Sequence, residues 1–400
     1  MKKHFLRFFT VFMAALLVLG LLGTSALATD LLPIKMGSIQ DLTGTASMAG
    51  LGNAWGVEYA VKEINANGGI NGRMIELTSL DCKNDATEAL NAYRKLVDEV
   101  GIDVLIGPPL SNSALTWVEL VAEDEIPCVG HFMDETCTTN PETGEAYPYM
   151  FLAEPGCIQQ AYCIAKYAID ELKLTSYATL YNSANAFAIS QAKPFMAYVN
   201  ANGGSVVAEE TFGWADTDFS AQCIKVAEAK PEAVFLSDYT AQAKLCIEQL
   251  RDAGFEGVIL GANTLSASLR TLMPEADLSK VYFLANYDDT EAAAGTLPYE
   301  IMRKYMAEAN IDYPVGNACF GYDAVMVMAN ALALASDPTN GPEVRDILEA
   351  QTKDVQISDT KITIDPATHR PVGMGMYIGR HFEDAGQEIV AYMQVNEDAL

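Results

Sequence analysis

From Ile34 onward, short apolar runs alternate with longer stretches of helical periodicity, and the series runs twice. Ile34–Ile39 reads as a strand and Asp41-Leu42-Thr43-Gly44 as a turn. A helix follows from about Ala54 to Asn67. It carries Val57, Ala60, Val61 and Ile64 on one face, and Asn67-Gly68-Gly69 stops it. Met74–Leu80 is a strand. Ala86–Val100 is a helix with Leu90, Tyr93, Val97 and Val100 inward, and Val104–Ile106 and Glu125–Val129 are strands. Strands separated by helices of this length pair in parallel, in a sheet covered on both faces. Ligands of such sheets bind beyond the carboxyl ends of the strands.

The loop Gly107-Pro108-Pro109-Leu110-Ser111-Asn112-Ser113-Ala114 lies at such an end, between Val104–Ile106 and a helical stretch from Leu115 to Glu123. Gly and Pro break the strand, and Ser111, Asn112 and Ser113 are all good N-cap residues. A helix start with unpaired N–H groups and neighbouring hydroxyls suits a carboxylate or another small polar anion.

The second series follows a loop over Thr138–Tyr149, the extended Met150–Glu154 and the breaker Pro155-Gly156, where the chain first crosses between lobes. Its helices are Ile158–Leu172, Ile189–Asn200, Phe219–Ala229 and Thr240–Ala253. Its strands are Tyr177–Tyr181, Val206–Phe212, Ala233–Leu236 and Val258–Leu260. Pro194 should kink the second of these helices or delay its start. The polar loop Ser237-Asp238-Tyr239-Thr240 is the counterpart of Ser111-Asn112-Ser113. Two similar lobes, each with a polar loop at a strand end, point to a ligand held between them.

Val281–Ala285 reads as a return crossing. Helices follow at Pro298–Ala309, Ala318–Ala335 and Pro342–Gln351, and strands at Ile362–Ile364, Gly375–His381 and Ile389–Val395. The resulting division is residues 29–154 with 286–368 as lobe 1, and 155–285 with 369–400 as lobe 2.

The first residues stand apart from this pattern. Lys2, Lys3 and Arg7 precede an apolar run from Phe8 to Leu22, and Ala26-Leu27-Ala28 is a small-x-small cleavage site. That is a secretory signal peptide over residues 1–28, with export to the periplasm and cleavage after Ala28. No later stretch reads as apolar enough to span a bilayer. Taking the three signal cations from the 25 Lys and Arg leaves 22 against 53 Asp and Glu, a net charge near −31. Such acidity argues against nucleic acid and against anionic membranes as partners. Of the eight cysteines, Cys137, Cys157 and Cys163 lie nearest to loops or helix starts and are the favoured bridge partners in an oxidising compartment.

No nucleophile elbow, dinucleotide turn or phosphate loop is present. Gly50-Leu51-Gly52 lacks a third glycine. Asp216-Thr217-Asp218 lacks the rest of a calcium loop. Cys128, His131, Asp134 and Cys137 fall three apart and are potential metal ligands, but zinc sites use tighter pairs. Neither a metal nor a cofactor is expected, and an exported hydrolase would have to rest on Asp134 and His131.

Several stretches resemble the substrate-binding proteins of ABC importers, of the leucine/isoleucine/valine-binding type. They are Gly56-Val57-Glu58-Tyr59-Ala60-Val61 with Ile64-Asn65-Ala66-Asn67-Gly68-Gly69-Ile70-Asn71-Gly72-Arg73, the loop Val104–Ser113, Asp218-Phe219-Ser220, Phe320-Gly321-Tyr322-Asp323-Ala324 and His369-Arg370-Pro371. The resemblance covers essentially the whole mature chain. It implies the type I periplasmic binding protein fold, an α/β architecture of two Rossmann-like lobes with parallel sheets joined by three crossing strands. It implies a monomer that closes on a small molecule and meets the membrane permease subunits of an importer. Ser111, with Asn112 beside it, matches the carboxylate-binding loop. Met133 and Asp134 stand at the next strand end, and Phe187 and Tyr239 stand where aromatics cover the ligand. The acid that pairs the α-ammonium falls at or near Asn263, where a neutral Asn cannot serve, leaving Asp134 or Asp238 to do so. A receptor sensory domain of the same fold is the alternative, disfavoured because no membrane span follows Val395.

Overall fold

In a computed structural model describing residues 31–383 and 386–399, the two alternations become two sheets. The signal peptide expected over residues 1–28 lies outside the described residues. The first sheet is wholly parallel, in the order β2-β1-β3-β4-β5. Its strands are β1 (Ile34–Gln40), β2 (Ile75–Asp81), β3 (Val104–Ile106), β4 (Cys128–Gly130) and β5 (Met150–Leu152). The second contains β6 (Ser176–Asn182), β7 (Ser205–Phe212), β8 (Ala233–Ser237), β9 (Val258–Gly261) and β10 (Val281–Ala285), parallel to one another. A two-stranded hairpin, β11 (Val355–Gln356) with β12 (Lys361–Ile362), stands apart. The last strands, β13 (Met376–His381) and β14 (Gln387–Met393), return to the second sheet antiparallel. That sheet is therefore mixed, because a short turn rather than a helical crossover joins its last two strands.

The chain passes between the sheets three times: after β5, after β10, and before β13. The passages are tied to one another. Leu152 N–H donates to His369 O at 3.0 Å, and Asn286 Nδ2 donates to Glu154 Oε2 at 2.6 Å. Arg370, on the third passage, forms a fork with Glu397 through Nη2 at 2.6 Å and Nε at 3.0 Å, and donates to Thr139 Oγ1 at 2.7 Å.

The first core joins β1, β3, β4 and β5 to helices from both ends of the described chain. Its central contact is between the helices Ser47–Ala66 and Asn317–Leu334. A Cβ on Gly56 would lie 2.0 Å from Ala318 O, and one on Gly321 would lie 2.0 Å from Asn53 O. Small residues at both faces allow the two backbones to touch. Contrary to the sequence reading, Asn317–Leu334 is long and apolar enough to cross a membrane, but it is largely buried in this core.

Other departures have local causes. The first helix starts at Ser47 rather than near Ala54, because Asp41 accepts the N–H groups of Gly44 at 2.5 Å and Ala46 at 2.8 Å. The helix at Ala86–Arg94 continues as a π-helical segment, Lys95–Val100. Ala89, Ala92, Tyr93 and Leu96 are buried at ordinary helical spacing while Leu90 is exposed, so the inward face lies one position away from the one the sequence reading chose. Leu115–Glu123 is not one helix; a turn at Ser111–Ala114 and another at Leu120–Glu123 replace it. Glu125 takes φ 57° in a turn, so β4 begins only at Cys128. Pro194 does not delay its helix, which runs from Ala186 to Ala201.

All eight cysteines are reduced and buried. The bridge expected among Cys137, Cys157 and Cys163 is absent because their thiols point to different carbonyls, of Ser111, Phe187 and Met393.

Glu135 couples the loop after β4 to the helix Cys157–Asp170. Its Oε1 accepts Ile158 N–H at 2.6 Å, and Gly156 leaves the room for it. Burial pushes this carboxyl from 4.5 up to about 8. The folded state keeps a proton that the unfolded chain releases, so this group's contribution is full below about 4.5 and is lost as pH rises toward 8. Glu135→Gln keeps the acceptor and removes the titration. Its midpoint of thermal unfolding should fall less than the parent's between pH 5 and 8, and an unchanged slope would contradict this. Gly321→Ala should lower the urea midpoint, with a loss on the order of 1–3 kcal/mol from overpacking; a wild-type midpoint would show that the helices have room to part.

Candidate ligand-binding site

The loop after β3 is shaped by glycines at 107 and 130, where a Cβ would meet the Phe132 ring at 2.8 Å and 2.5 Å. Phe132 fills the space between the two strand ends and turns the following residues outward. Leu110, in extended conformation, precedes the helical turn, and no side chain caps it. Ser111, Asn112 and Ser113 are thus not N-caps. Ser113 is buried against Cys82, at 3.8 Å. Ser111 Oγ accepts the N–H of Asp134 at 3.1 Å, which leaves its own O–H to donate to a guest.

Ser111 and Tyr239, from the two different sheets, line one cavity of about 110 Å³. Met133, Phe187 and Asn263 line it as well. Phe187 and Tyr239 stack at 6.1 Å with 18° between ring planes, and Trp214 stands 5.8 Å behind Tyr239. The Tyr239 hydroxyl is buried with no hydrogen-bond partner, and burial holds it well above the usual phenol range. Thr264 Oγ1 on the same wall is also unpartnered. Unpaired buried donors and acceptors are costly, and a polar guest would satisfy them.

Three of the residues singled out from sequence are placed elsewhere. Asp134 turns back on its own chain, accepting Thr136 N–H at 2.8 Å and Thr136 Oγ1–H at 2.7 Å. It caps the short helix Glu135–Cys137 and does not line the cavity. Asp238 is fully buried among amides. It accepts from Asn182 at 3.0 Å, from Asn185 at 2.9 Å and from Tyr239 N–H at 2.8 Å. Neither is available to an ammonium in the cavity. Asn112 reaches the other lobe instead, where its Oδ1 accepts Ala186 N–H at 3.3 Å and its Nδ2 lies 3.5 Å from Asn185 Oδ1.

Asn263 begins a buried relay. Its Nδ2 donates to Asn286 Oδ1 at 3.2 Å, and Asn286 passes on to Glu154. Glu154 is fully buried, and burial raises its carboxyl well above the usual range. The sequence reading missed Asn286, Tyr287, Asp289 and Phe320, which all line the cavity. The first three follow β10, at the same kind of strand end as the other site loops, and that rule could have found them.

Among the described residues, no three His, Cys, Asp or Glu side chains gather to hold a metal. His131 stacks on Phe320 at 4.6 Å, with both ring nitrogens unpartnered, and burial lowers it to about 3, so the ring is neutral. With Asp134 turned away, the pair that a hydrolase would need does not form.

A profile describing periplasmic binding proteins matches residues 33–387. The chain belongs to the periplasmic binding protein family. A Leu/Ile/Val-binding protein homolog from Brucella melitensis is 29% identical over 234 residues, covering 58% of this chain and 62% of that one. The matched stretch is thus less than two thirds of that relative's length. Among solved structures, the leucine-binding protein LivK of Thermotoga maritima superposes with a TM-score of 0.79 at 20% identity, over 90% of this chain and 99% of that one. LivJ of Streptococcus pneumoniae, a branched-chain amino acid transporter substrate-binding protein in complex with isoleucine, gives 0.76 at 25%, over 91% and 99%. The fold is that of a type I periplasmic binding protein.

Tyr239→Phe removes a hydroxyl that has no protein partner. In protein stripped of any guest, the variant should match the parent in urea or exceed it by up to about 1 kcal/mol. A clear loss of stability would show that the hydroxyl is bonded within the protein.

Proposed function

We propose that this protein is an extracytoplasmic solute-binding component of an ABC importer. It captures an amino acid or a similar small polar molecule between two lobes and delivers it to membrane permease subunits. The supporting observation is that Ser111 and Tyr239, carried by different sheets, face one small cavity. Residues 29–154 with 286–368 form one lobe and residues 155–285 with 369–400 the other. The mature chain begins after Ala28, works in the periplasm and acts as a monomer. Ser111 donates its O–H to the guest's carboxylate, Phe187 and Tyr239 cover the guest from the second lobe, and Met133 and Asn263 complete the walls. Asn112 contacts the opposite lobe rather than the guest. The relatives named for leucine, isoleucine and valine support an amino acid as the class of guest.

The test is thermal unfolding of the mature, stripped chain against a panel of amino acids, amides, aromatic acids and nucleobases. A ligand that binds only the native state raises its stability by about 2.7 kcal/mol at a hundredfold excess over Kd. At least one member should raise the midpoint, and Ser111→Ala should shrink that rise. A panel without a single shift would contradict the proposal.

A further inference from the structure

The cavity has no acid where the resemblance puts one, since Asn263 is neutral, and Asp134 and Asp238 are committed to hydrogen bonds within the protein. One carboxylate does line it. Asp289 stands on the passage after β10, and among the described residues no Lys, Arg or His lines the cavity with it. We propose that Asp289 is the specificity-determining residue of this site: it pairs the ammonium of the guest, and so restricts the guest to amino acids and excludes carboxylic acids of similar shape that lack an amine. This rests on the reading of the cavity as the ligand site.

The surroundings of Asp289 fit that role. Its neighbour Asp288 is occupied, accepting Thr290 N–H at 2.9 Å and Thr290 Oγ1–H at 2.6 Å. Asp289 Oδ1 accepts Gln387 Nε2–H at 2.5 Å. The cation that acts on it, Arg303, is engaged with Glu291. Burial, with Asp288 beside it, pushes the Asp289 carboxyl up to about 6, the behaviour of a carboxylate short of a counterion. Asp289, Tyr313 and Pro314 also border a larger open hollow, so the carboxylate sits at the cavity's rim, where an amine arriving from solvent would meet it. A charge partly withdrawn from water gains most from a partner that brings both opposite charge and hydrogen-bond donors. An ammonium does both, and a neutral or anionic head group does not.

The experiment is calorimetric titration of the stripped mature protein with matched pairs: L-leucine against 4-methylpentanoate, and L-phenylalanine against 3-phenylpropanoate. L-isoleucine and L-valine are added as further amino acids. The parent should bind at least one amino acid and bind its amine-free partner at least tenfold more weakly. Asp289→Asn should lose tenfold or more on the amino acid and show little preference between the pair, while its unliganded unfolding midpoint does not fall below that of the parent. Equal binding of both members by the parent would overturn the proposal without any variant. Undiminished amino-acid binding by Asp289→Asn would overturn it too, leaving the site itself standing. A parent that binds none of these amino acids would overturn the inference, and the wider ligand panel would then decide whether the site reading falls with it.

Discussion

The parallel strands of a sheet all end on the same edge, so the parallel strands of each sheet here share one edge where loops collect and backbone groups are left unpaired. The rest of the structure follows from turning two such edges toward each other. Three passages of the chain fix their relative placement, and the hydrogen bonds among those passages leave little freedom there. The facing loops meet closely enough that Phe187 and Ala262, from the second half, pack with the core of the first. Asn112 supplies an acceptor to the first turn of the helix Ala186–Ala201 across the gap. That contact satisfies a helix-end donor from the opposite lobe, so part of the energy of closure comes from the protein itself.

The polar groups at this junction are unusual in how they are satisfied. Asp134 and Asp238 look like ligand acids, yet Asp134 accepts the N–H and hydroxyl of Thr136, and Asp238 accepts two side-chain amides and a backbone N–H. Glu154 is buried with one oxygen unpartnered and the other accepting from Asn286. Burial raises the carboxyls of Glu135 and Asp323, to about 8 and about 7, and lifts that of Glu154 well above the usual range. Among the described residues, Asp289 alone brings a carboxylate to the cavity wall.

Much of this was legible in the residues. The alternation of apolar runs with helical periods located the strands, because strand and helix periods differ sharply in such short segments. Ser111 and Tyr239 lie in the polar loops read at strand ends, whereas Met133, Phe187 and Asn263 come only from the resemblance; all five line the cavity. What failed was chemistry that depends on partners distant in sequence. The carboxylate of Asp238 is consumed by Asn182 and Asn185, more than fifty positions away, and nothing local announces that. Asp134 was readable in principle, since an Asp two residues before a Thr forms an Asx turn. Gly50-Leu51-Gly52 reads only as an incomplete dinucleotide turn and Gly56 only as part of the resemblance, whereas Gly50 and Gly56 are places where the first helix touches other backbone. The cysteines drew attention as bridge candidates only because exposure cannot be read from spacing.

The central claim is that the two lobes are held shut around one small guest. Small-angle X-ray scattering tests it most directly, comparing mature protein as purified, protein stripped by guanidinium and refolded, and stripped protein given back a binding amino acid. The account requires the radius of gyration to increase on stripping and to return on addition. Identical scattering in all three states, with the amino acid demonstrably bound, would contradict it.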